Sequence, residues 1–406
     1  MHILFLNHNV AWRGGTFFRA YHFARHLARR GHRPVLFTIS PTARLAVTRE
    51  QRDGVELVYC PDLLWGRGRS GWDPWNTIRR CGLVRRDCWD VIHAWDSRPA
   101  VVLPALFAMN RTRGHKTRLV MDWCDWWGRG GTESEREQAW MRLVGPLETF
   151  FEENFRLKAD GTTVISQALA RRALGLGVPA DRICLLPQGC DKLDPLMASQ
   201  REEARGRLGL GIDAEVILVI GALMRSDAQL LFESLTRLFE RKPNGRVFMI
   251  GKHNTRVPST LKLHGRLVET GFVSDAVLQD YMVACDALLT PLADTIASRA
   301  RWPSKVNPVL ALGRAVVITR VGDLPAMLER EQAAVVTEPS PECLADSAVA
   351  LLTDRILRER CEANGRRVAV DVLDWTLLAH QLEEFYLALL DRPSSVEDRH
   401  GHHMNG

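Results

Sequence analysis

Four hundred and six residues, 46% of them hydrophobic and 25% charged, are enough chain for two globular domains with complete cores, and they exclude a disordered or fibrous protein. No apolar run approaches the roughly 18 residues of a membrane-spanning helix, and a net charge of +6 suits an anionic ligand or surface without calling for nucleic acid. Nine cysteines, an odd number with no Cys-x-x-Cys pair, point to buried thiols in a reducing cytosol rather than to disulfides or a zinc site.

The chain opens with an apolar run at residues 3–6, short and unbroken, as in a parallel strand covered on both faces. It lacks the charged lead and long apolar stretch of a secretory signal, so a cytoplasmic protein is expected. A loop closing on Gly14-Gly15 leads to Thr16 as helix N-cap. Phe17, Ala20, Tyr21, Ala24, Leu27 and Ala28 then recur at helical spacing up to Gly31, with Arg19, Arg25, Arg29 and Arg30 expected on the solvent face. Residues 34–38 form the next strand, completing a βαβ unit. Further strands are expected at 55–59, 91–94, 118–121 and 161–165, with helices around 149–158 and 167–174. A second series begins at 216–221 and continues through a helix at 229–239, a strand at 247–250 and the turn Gly271-Phe272-Val273. It runs on through a helix at 275–284, a strand at 287–290, a helix opening at Trp302-Pro303-Ser304-Lys305 and a strand at 315–319. Strands alternating with helices twice over predict two doubly wound α/β domains with a boundary near 195–213. A strong helix at 375–390 closes the pattern. Residues 393–406 are polar, and His400, His402 and His403 read as a disordered tail rather than a metal site.

Several stretches carry chemistry. Gly14 and Gly15 precede a helix, so their amides suit a phosphate, with a ligand-free tight turn as the alternative. Arg299, Arg301 and Lys305 gather around the start of an expected helix, where cations oppose the helix dipole and an anionic ligand would resolve the conflict. Asp294 and Thr295, just ahead, carry oxygens that suit a ligand's hydroxyls. Asp122 and Asp125 directly follow a strand, among Trp123, Trp126 and Trp127, and suit a ligand that offers both hydroxyls and apolar faces; core packing and capping are the alternative. Asp96 ends another strand, and His93 within that strand reads as a satisfied core histidine. Ten of the twelve tryptophans fall in the first 140 residues. Trp65, Trp72 and Trp75 stand among Arg67, Arg69, Arg79, Arg80, Arg85 and Arg86, which suits either a membrane interface or a surface loop.

Taken together these pieces resemble the GT-B glycosyltransferases of glycosyltransferase family 4. The resemblance runs through Gly14-Gly15-Thr16, Ala159-Asp160-Gly161-Thr162-Thr163-Val164-Ile165-Ser166, Leu186-Pro187-Gln188-Gly189-Cys190-Asp191, Gly271-Phe272-Val273, 281–291 and Gly313-Arg314-Ala315-Val316-Val317. It implies two Rossmann-like domains facing across a cleft: 1–195 on the acceptor side, 196–374 binding the nucleotide sugar, a helix at 375–392 crossing back, and the tail. It also implies a retaining, metal-independent transferase using a UDP-sugar, or alternatively a GDP-sugar. The acceptor would be a carbohydrate, a lipid-linked sugar or a secondary metabolite, met in the cytoplasm or at the inner membrane face. Gly14, Gly15, Arg225, Arg299, Arg301 and Lys305 would then hold the diphosphate. Gly271, Val273, Asp294 and Thr295 would meet the donor sugar or base, and Asp96, Asp122 and Asp125 would be catalytic. The chain departs from the family where two glutamates are usual, with Ala300 and Pro308 in those places, and Ala222 and Asp227 fall near a usual Arg and Lys. Two other readings stay open: a non-catalytic GT-B protein binding a nucleotide sugar or a partner transferase, and a nucleotide-sugar epimerase.

Overall fold

The computed structural model describes the chain apart from residues 64–69, 86, 112–116, 136–144, 194–199, 252–254, 263–264 and 393–406. Trp65, Arg67, Arg69 and Arg86 of the basic tryptophan-rich stretch, and the histidines of the tail, lie outside the described residues. The chain divides into two compact units. The first comprises Met1–Arg129, Trp140–Pro187 and Trp375–Gly406; the second comprises Gly130–Ala139 and Gln188–Asp374.

In the first unit, β1 (His2–Val10), β2 (Arg33–Ile39), β3 (Thr48–Arg52), β4 (Val55–Cys60), β5 (Val91–Trp95), β6 (Arg118–Trp123), β7 (Gly161–Val164) and β8 (Ile183–Leu185) make one sheet. Its order is β3-β4-β2-β1-β5-β6-β7-β8, and only the β3–β4 pair is antiparallel. Helices α1 (Gly15–Arg29), α2 (Pro74–Val84), α3 (Pro99–Arg111), α4 (Gly145–Asn154) and α5 (Gln167–Gly175) connect the strands. Successive strand residues point to opposite faces. Ile3 and Phe5 therefore pack with Phe17, Tyr21 and Leu27 of α1, and Leu4 and Leu6 pack with Val101, Val102 and Ala105 of α3. Covering both faces is what requires the unbroken apolar runs.

The second unit contains α6 (Arg201–Arg207), β9 (Val216–Ile220), α7 (Arg225–Arg241), β10 (Arg246–Ile250), α8 (Ser259–Lys262), β11 (Leu267–Gly271), α9 (Asp275–Ala284) and β12 (Ala287–Thr290). It continues with α10 (Ile296–Ala300), α11 (Val306–Ala311), β13 (Ala315–Thr319), α12 (Asp323–Arg330), β14 (Val335–Thr337), α13 (Pro341–Thr353) and α14 (Arg355–Asp371). Its six strands are all parallel in the order β11-β10-β9-β12-β13-β14. Ile217, Val219, Val247 and Met249 meet Leu231, Leu235 and Leu238 of α7 in its core. The unit begins at Gln188, ahead of the polar stretch near 195–213, because the Asn307 side-chain amide donates to the carbonyls of Gln188 (2.8 Å) and Gly189 (3.1 Å). Its two ends also meet each other: Cys190 N donates to Leu373 O at 2.6 Å, beside a parallel bridge between Cys190 and Asp374.

The last helix, α15 (Trp375–Asp391), belongs to the first unit. Trp375, Leu378, Leu382, Tyr386 and Leu389 form its buried stripe, and Trp375 stacks on His22 of α1 with ring centroids 4.8 Å apart. Among the described residues, no helix is long and apolar enough to cross a membrane.

Candidate functional site

Parallel sheets bind ligands beyond the carboxyl ends of their strands, where the strand order reverses. That point lies between β1 and β5 in the first unit and between β9 and β12 in the second. Each unit therefore has one crevice to inspect, and the expected site residues can be placed against it.

Asp96 sits at the end of β5 with φ +91°, a strained value for any residue but glycine, and is 3% exposed. Its Oδ1 accepts from Ser97 N at 2.5 Å, while its Oδ2 makes no hydrogen bond among the described residues and stands 3.6 Å from His8 Nδ1 and 3.9 Å from Arg98 Nε. Arg98 pairs with Glu148 and lies over the ring of Trp127, 4.7 Å from its centroid. Gly71 closes the group from the side. With φ +83°, it leaves room for the others: a Cβ there would stand 2.7 Å from Arg98 Cβ and 2.8 Å from His8 Cβ. Burial opposes ionisation of Asp96, but His8, Arg98 and the Ser97 amide outweigh it and hold the carboxyl below its ordinary value.

Burial pulls the His8 imidazole down to about 4 from its ordinary 6.5; Asp96 pulls the other way, and Arg98 and Arg80 lower it further. Below pH 6.5 the unfolded chain takes up a proton at His8 that the folded chain refuses until about pH 4. Stability from this group is therefore complete above 6.5 and is lost as pH falls through that window, by about 2 kcal/mol between pH 7.5 and 5. His93, held well below its ordinary value by burial and by Arg19, acts in the same direction. Urea unfolding at the two pH values should show this loss, and His8→Asn should reduce it. A pH-independent midpoint would contradict the assignment of a neutral buried His8.

Asp122 requires a correction. Expected to meet sugar hydroxyls, it is 0% exposed. Its carboxylate takes both Nε and Nη2 of Arg19 at 3.2 Å and the Thr163 hydroxyl at 2.7 Å. Arg19, expected on the solvent face of α1, is itself 1% exposed and also donates to the carbonyls of Leu186 (2.6 Å) and Pro187 (2.9 Å). Thr163 spends its proton on Asp122, so it accepts from His93 Nε2 at 3.2 Å, and His93 Nδ1 accepts from Tyr386 at 2.5 Å. This fixes the neutral Nε2–H tautomer, and His93 is the satisfied strand histidine that was expected. Asp125, three residues on, is half-buried with its Oδ2 3.8 Å from Cys124 Sγ. The loop that carries it is held by buried Glu152, which accepts from the amides of Trp127 and Gly128 and from the Trp123 indole.

Gly14 caps α1 with φ +85°, and a Cβ there would stand 2.9 Å from the Asn9 side chain, which accepts from Phe17 N at 3.1 Å. Among the described residues, nothing stands within 4 Å of the position a Gly15 Cβ would take, and the first turn of α1 holds no acidic residue. Apart from the Phe17 amide that Asn9 takes, the positive end of this helix dipole is therefore open among the described residues.

In the second unit the strand ends carry glycines with positive φ: Gly221 (108°), Gly251 (122°) and Gly271 (67°). Gly221 N donates to Ile250 O and Gly251 N to Gly271 O, each at 2.9 Å, so the ends of β9, β10 and β11 form one side-chain-free floor. Val273, half-buried, follows beyond Gly271. Lys305, the exposed N-cap of α11, has its Cγ 3.9 Å from where a Gly221 Cβ would stand. Arg225, exposed, is the first residue of α7. Neither cation has a partner among the described residues. The first turn of α7 does hold an anion, the Glu135 carboxylate, which accepts from Ser226 N (3.2 Å) and Ser226 Oγ (3.0 Å).

The other expected cations are placed differently. Arg299 lies in the last turn of α10 and Arg301 is its C-cap, where the dipole favours cations, so of the three cations expected to oppose a dipole only Lys305 stands at a helix start. Arg299 binds Asp294 bidentately at 2.6 and 2.7 Å, which pairs two residues expected to act separately. That partner holds the Asp294 carboxyl below its ordinary value. Thr295 spends its oxygen as the N-cap of α10, accepting from Ser298 N at 3.1 Å. Arg301 pairs with buried Asp227. Among the described residues no cluster of three metal-ligating side chains occurs. His8, Arg98, Gly71, Gly221, Gly251 and Glu135 were not singled out from the sequence as site residues; glycines closing consecutive apolar runs were the one available signal.

Comparison with known proteins adds the following. Residues 14–189 match the family described as glycosyl transferase 4-like domain, and residues 214–354 match glycosyl transferases group 1. TuaC of Bacillus subtilis, a glycosyltransferase whose name assigns it to teichuronic acid biosynthesis, is 27% identical over 147 residues. That match covers 36% of this chain and about a third (35%) of TuaC. Among solved structures, a glycosyltransferase from Rickettsia africae ESF-5 superposes with a TM-score of 0.69 at 15% identity, covering 97% of this chain and 99% of the other. Sucrose-phosphate synthase from Thermosynechococcus elongatus gives 0.72 at 16% identity over 96% and 99%. Anabaena Alr3699/HepE, in complex with UDP-glucose, gives 0.68 at 17% over 96% and 100%. At these identities the structural likeness shows the fold.

Proposed function

The chain belongs to the group 1 glycosyl transferases and has their GT-B fold of two α/β parallel-sheet domains, and we propose that it transfers a sugar, with retention, from a nucleoside-diphosphate donor to a carbohydrate or lipid-linked acceptor. The observation that carries this reading is the pair of cations without a partner among the described residues, Arg225 four positions beyond Gly221 and Lys305 with its Cγ 3.9 Å from where a Gly221 Cβ would stand, at the end of β9 where the strand order of the second unit reverses. Two like charges with no protein partner among the described residues, facing one glycine floor, suit a diphosphate. When the bond between sugar C1 and the β-phosphate oxygen breaks, negative charge grows on the leaving diphosphate, and cations already in place lower the barrier without reorganising. These side chains serve where a metal ion would otherwise stand. The glycine floor at Gly221, Gly251 and Gly271 lets a nucleotide approach backbone directly. A UDP-sugar is the proposed donor, supported by the UDP-glucose complex of the Anabaena neighbour.

On the first unit, the open first turn of α1 at Gly14 and Gly15, half-buried Asp125 and strained Asp96 are the proposed sugar-side groups. Asp122 contributes by holding the sheet together. A polymer- or lipid-linked sugar acceptor accords with the name of TuaC, and cytoplasmic action with peripheral membrane contact belongs to the same proposal. A second reading, a non-catalytic nucleotide-sugar binder, is favoured by Ala300 and Pro308 standing where two glutamates are usual.

The test is thermal stabilisation by UDP, GDP, ADP and dTDP at matched concentration, followed by assay for nucleoside diphosphate release with the sugars of the responding base. A ligand at 100 times its Kd raises apparent stability by about 2.7 kcal/mol. A UDP shift with release is the expected outcome. A shift without release for any sugar and acceptor would favour the binder, and no shift with any nucleotide would overturn the donor assignment.

A further inference from the structure

Asp227 is the third residue of α7 and is 0% exposed. Its Oδ1 accepts from Ala293 N at 2.8 Å and Ser298 Oγ at 3.5 Å, and its Oδ2 accepts from Met224 N at 3.4 Å and from Arg301 Nη2. One carboxylate thus ties the start of α7 to the β12–α10 connection and to the residue that ends α10, all around the strand reversal of the second unit. Arg301 keeps 17% of its side chain exposed, and its Nε is buried with no hydrogen-bond partner among the described residues. A guanidinium carries five donors in a rigid fork, and only one of them is engaged by Asp227.

We propose that Asp227 is a positioning residue for the diphosphate, acting through Arg301. The inference rests on the donor reading above and names one further part of the same site. The helix dipole and the backbone amides fix the carboxylate; the carboxylate fixes the plane of the guanidinium; and the unspent donors of Arg301 join Arg225 and Lys305 against the phosphates. A flexible arginine loses side-chain entropy when it binds an anion, and a buried partner that orders it beforehand removes that cost. Orientation also matters more for arginine than for lysine, because its bonds to a phosphate are planar and bidentate.

The experiment is a double-mutant cycle of Asp227→Asn and Arg301→Ala, read by calorimetric titration with UDP and with inorganic pyrophosphate, alongside Tm. Pyrophosphate probes the diphosphate site whatever the base. Each single variant should weaken both probes about tenfold, the worth of one charge-assisted contact, and the double variant should be no weaker than Arg301→Ala. Asp227→Glu keeps the charge at a helix position that accepts glutamate, so it should fold, and the displaced carboxylate should weaken both probes severalfold. A lowered Tm with unchanged affinity in the Asp227 variants, or losses that add in the double variant, would make Asp227 merely structural and overturn the inference. If Arg301→Ala binds normally while Lys305→Ala does not, this inference alone falls. If wild-type protein binds neither probe, or Lys305→Ala also binds normally, the donor reading falls with it.

Discussion

Replacing Lys305 by alanine should lower kcat/KM by two to three orders of magnitude and leave Tm unchanged. Lys305 is exposed, has no partner among the described residues and caps α11 from the side of the dipole that repels a cation. Nothing in the fold needs it, and surface changes away from packing or capping features stay within about 0.5 kcal/mol. The leaving diphosphate does need it on the proposed mechanism. Losing one preorganised donor at a developing oxyanion costs about 3–4 kcal/mol, equivalent to a factor of roughly 100 to 1,000. Arginine in its place should recover part of the rate, since the charge returns with a different reach. The readout is nucleoside diphosphate release with the donor identified by nucleotide stabilisation, together with a melting curve. Normal turnover in the alanine variant would remove the diphosphate from this end of α11.

The second large effect concerns stability. Arg19→Met should destabilise the first unit by about 3–5 kcal/mol, because it leaves the Asp122 charge buried without its main partner. At the scale of a 150–250-residue domain this is a fall in Tm on the order of 10 °C. The side-chain exposures of 1% and 0% leave no route for water to compensate. The same change releases the carbonyls of Leu186 and Pro187, at the end of the chain's first passage through this unit. Removing both charges, Arg19→Met with Asp122→Leu, should restore part of the loss, since a paired apolar replacement carries no orphan charge. Thermal unfolding of the three variants decides the matter. A Tm near wild type for Arg19→Met would overturn the reading of Asp122 as a carboxylate that holds the sheet together.

The sheets were legible because buried parallel strands are written as unbroken apolar runs, and the runs at 3–6, 216–221 and 315–319 fall within or beside β1, β9 and β13. Strand β3 was not legible. Its sequence, Thr48-Arg49-Glu50-Gln51-Arg52, is polar and exposed at every position, and only antiparallel pairing at the sheet edge makes it a strand. Helix α10 escaped notice because five residues show no periodicity, while the helix expected to open at Trp302-Pro303-Ser304-Lys305 is α11, whose N-cap is Lys305. The unread helix before it reversed the electrostatic reading of Arg299 and Arg301. The site was legible as residue types and much less so as pairings. Asp122 finds Arg19 across 103 positions and Ser226 finds Glu135 across 91, and no local pattern encodes such distances. The strain at Asp96 likewise arises where a strand meets its crevice, and a sequence does not display a φ angle.

Because α15 completes the core of the first unit, the order in which the chain leaves the ribosome matters. The sheet built from the first 187 residues waits, with the α1 face uncovered, until the whole second unit has been synthesised. Contacts such as Arg30 with Glu383, 353 residues apart, would make for slow closure in a free chain. The meeting of Cys190 with Leu373 and Asp374 shortens that search. Once the second unit has folded, its own ends are joined, and the residue that starts α15 emerges beside the segment that left the first unit. The nascent first unit then closes a gap of a few residues in place of one nearly two hundred long, and the inserted unit acts as a folding clamp for the domain that contains it.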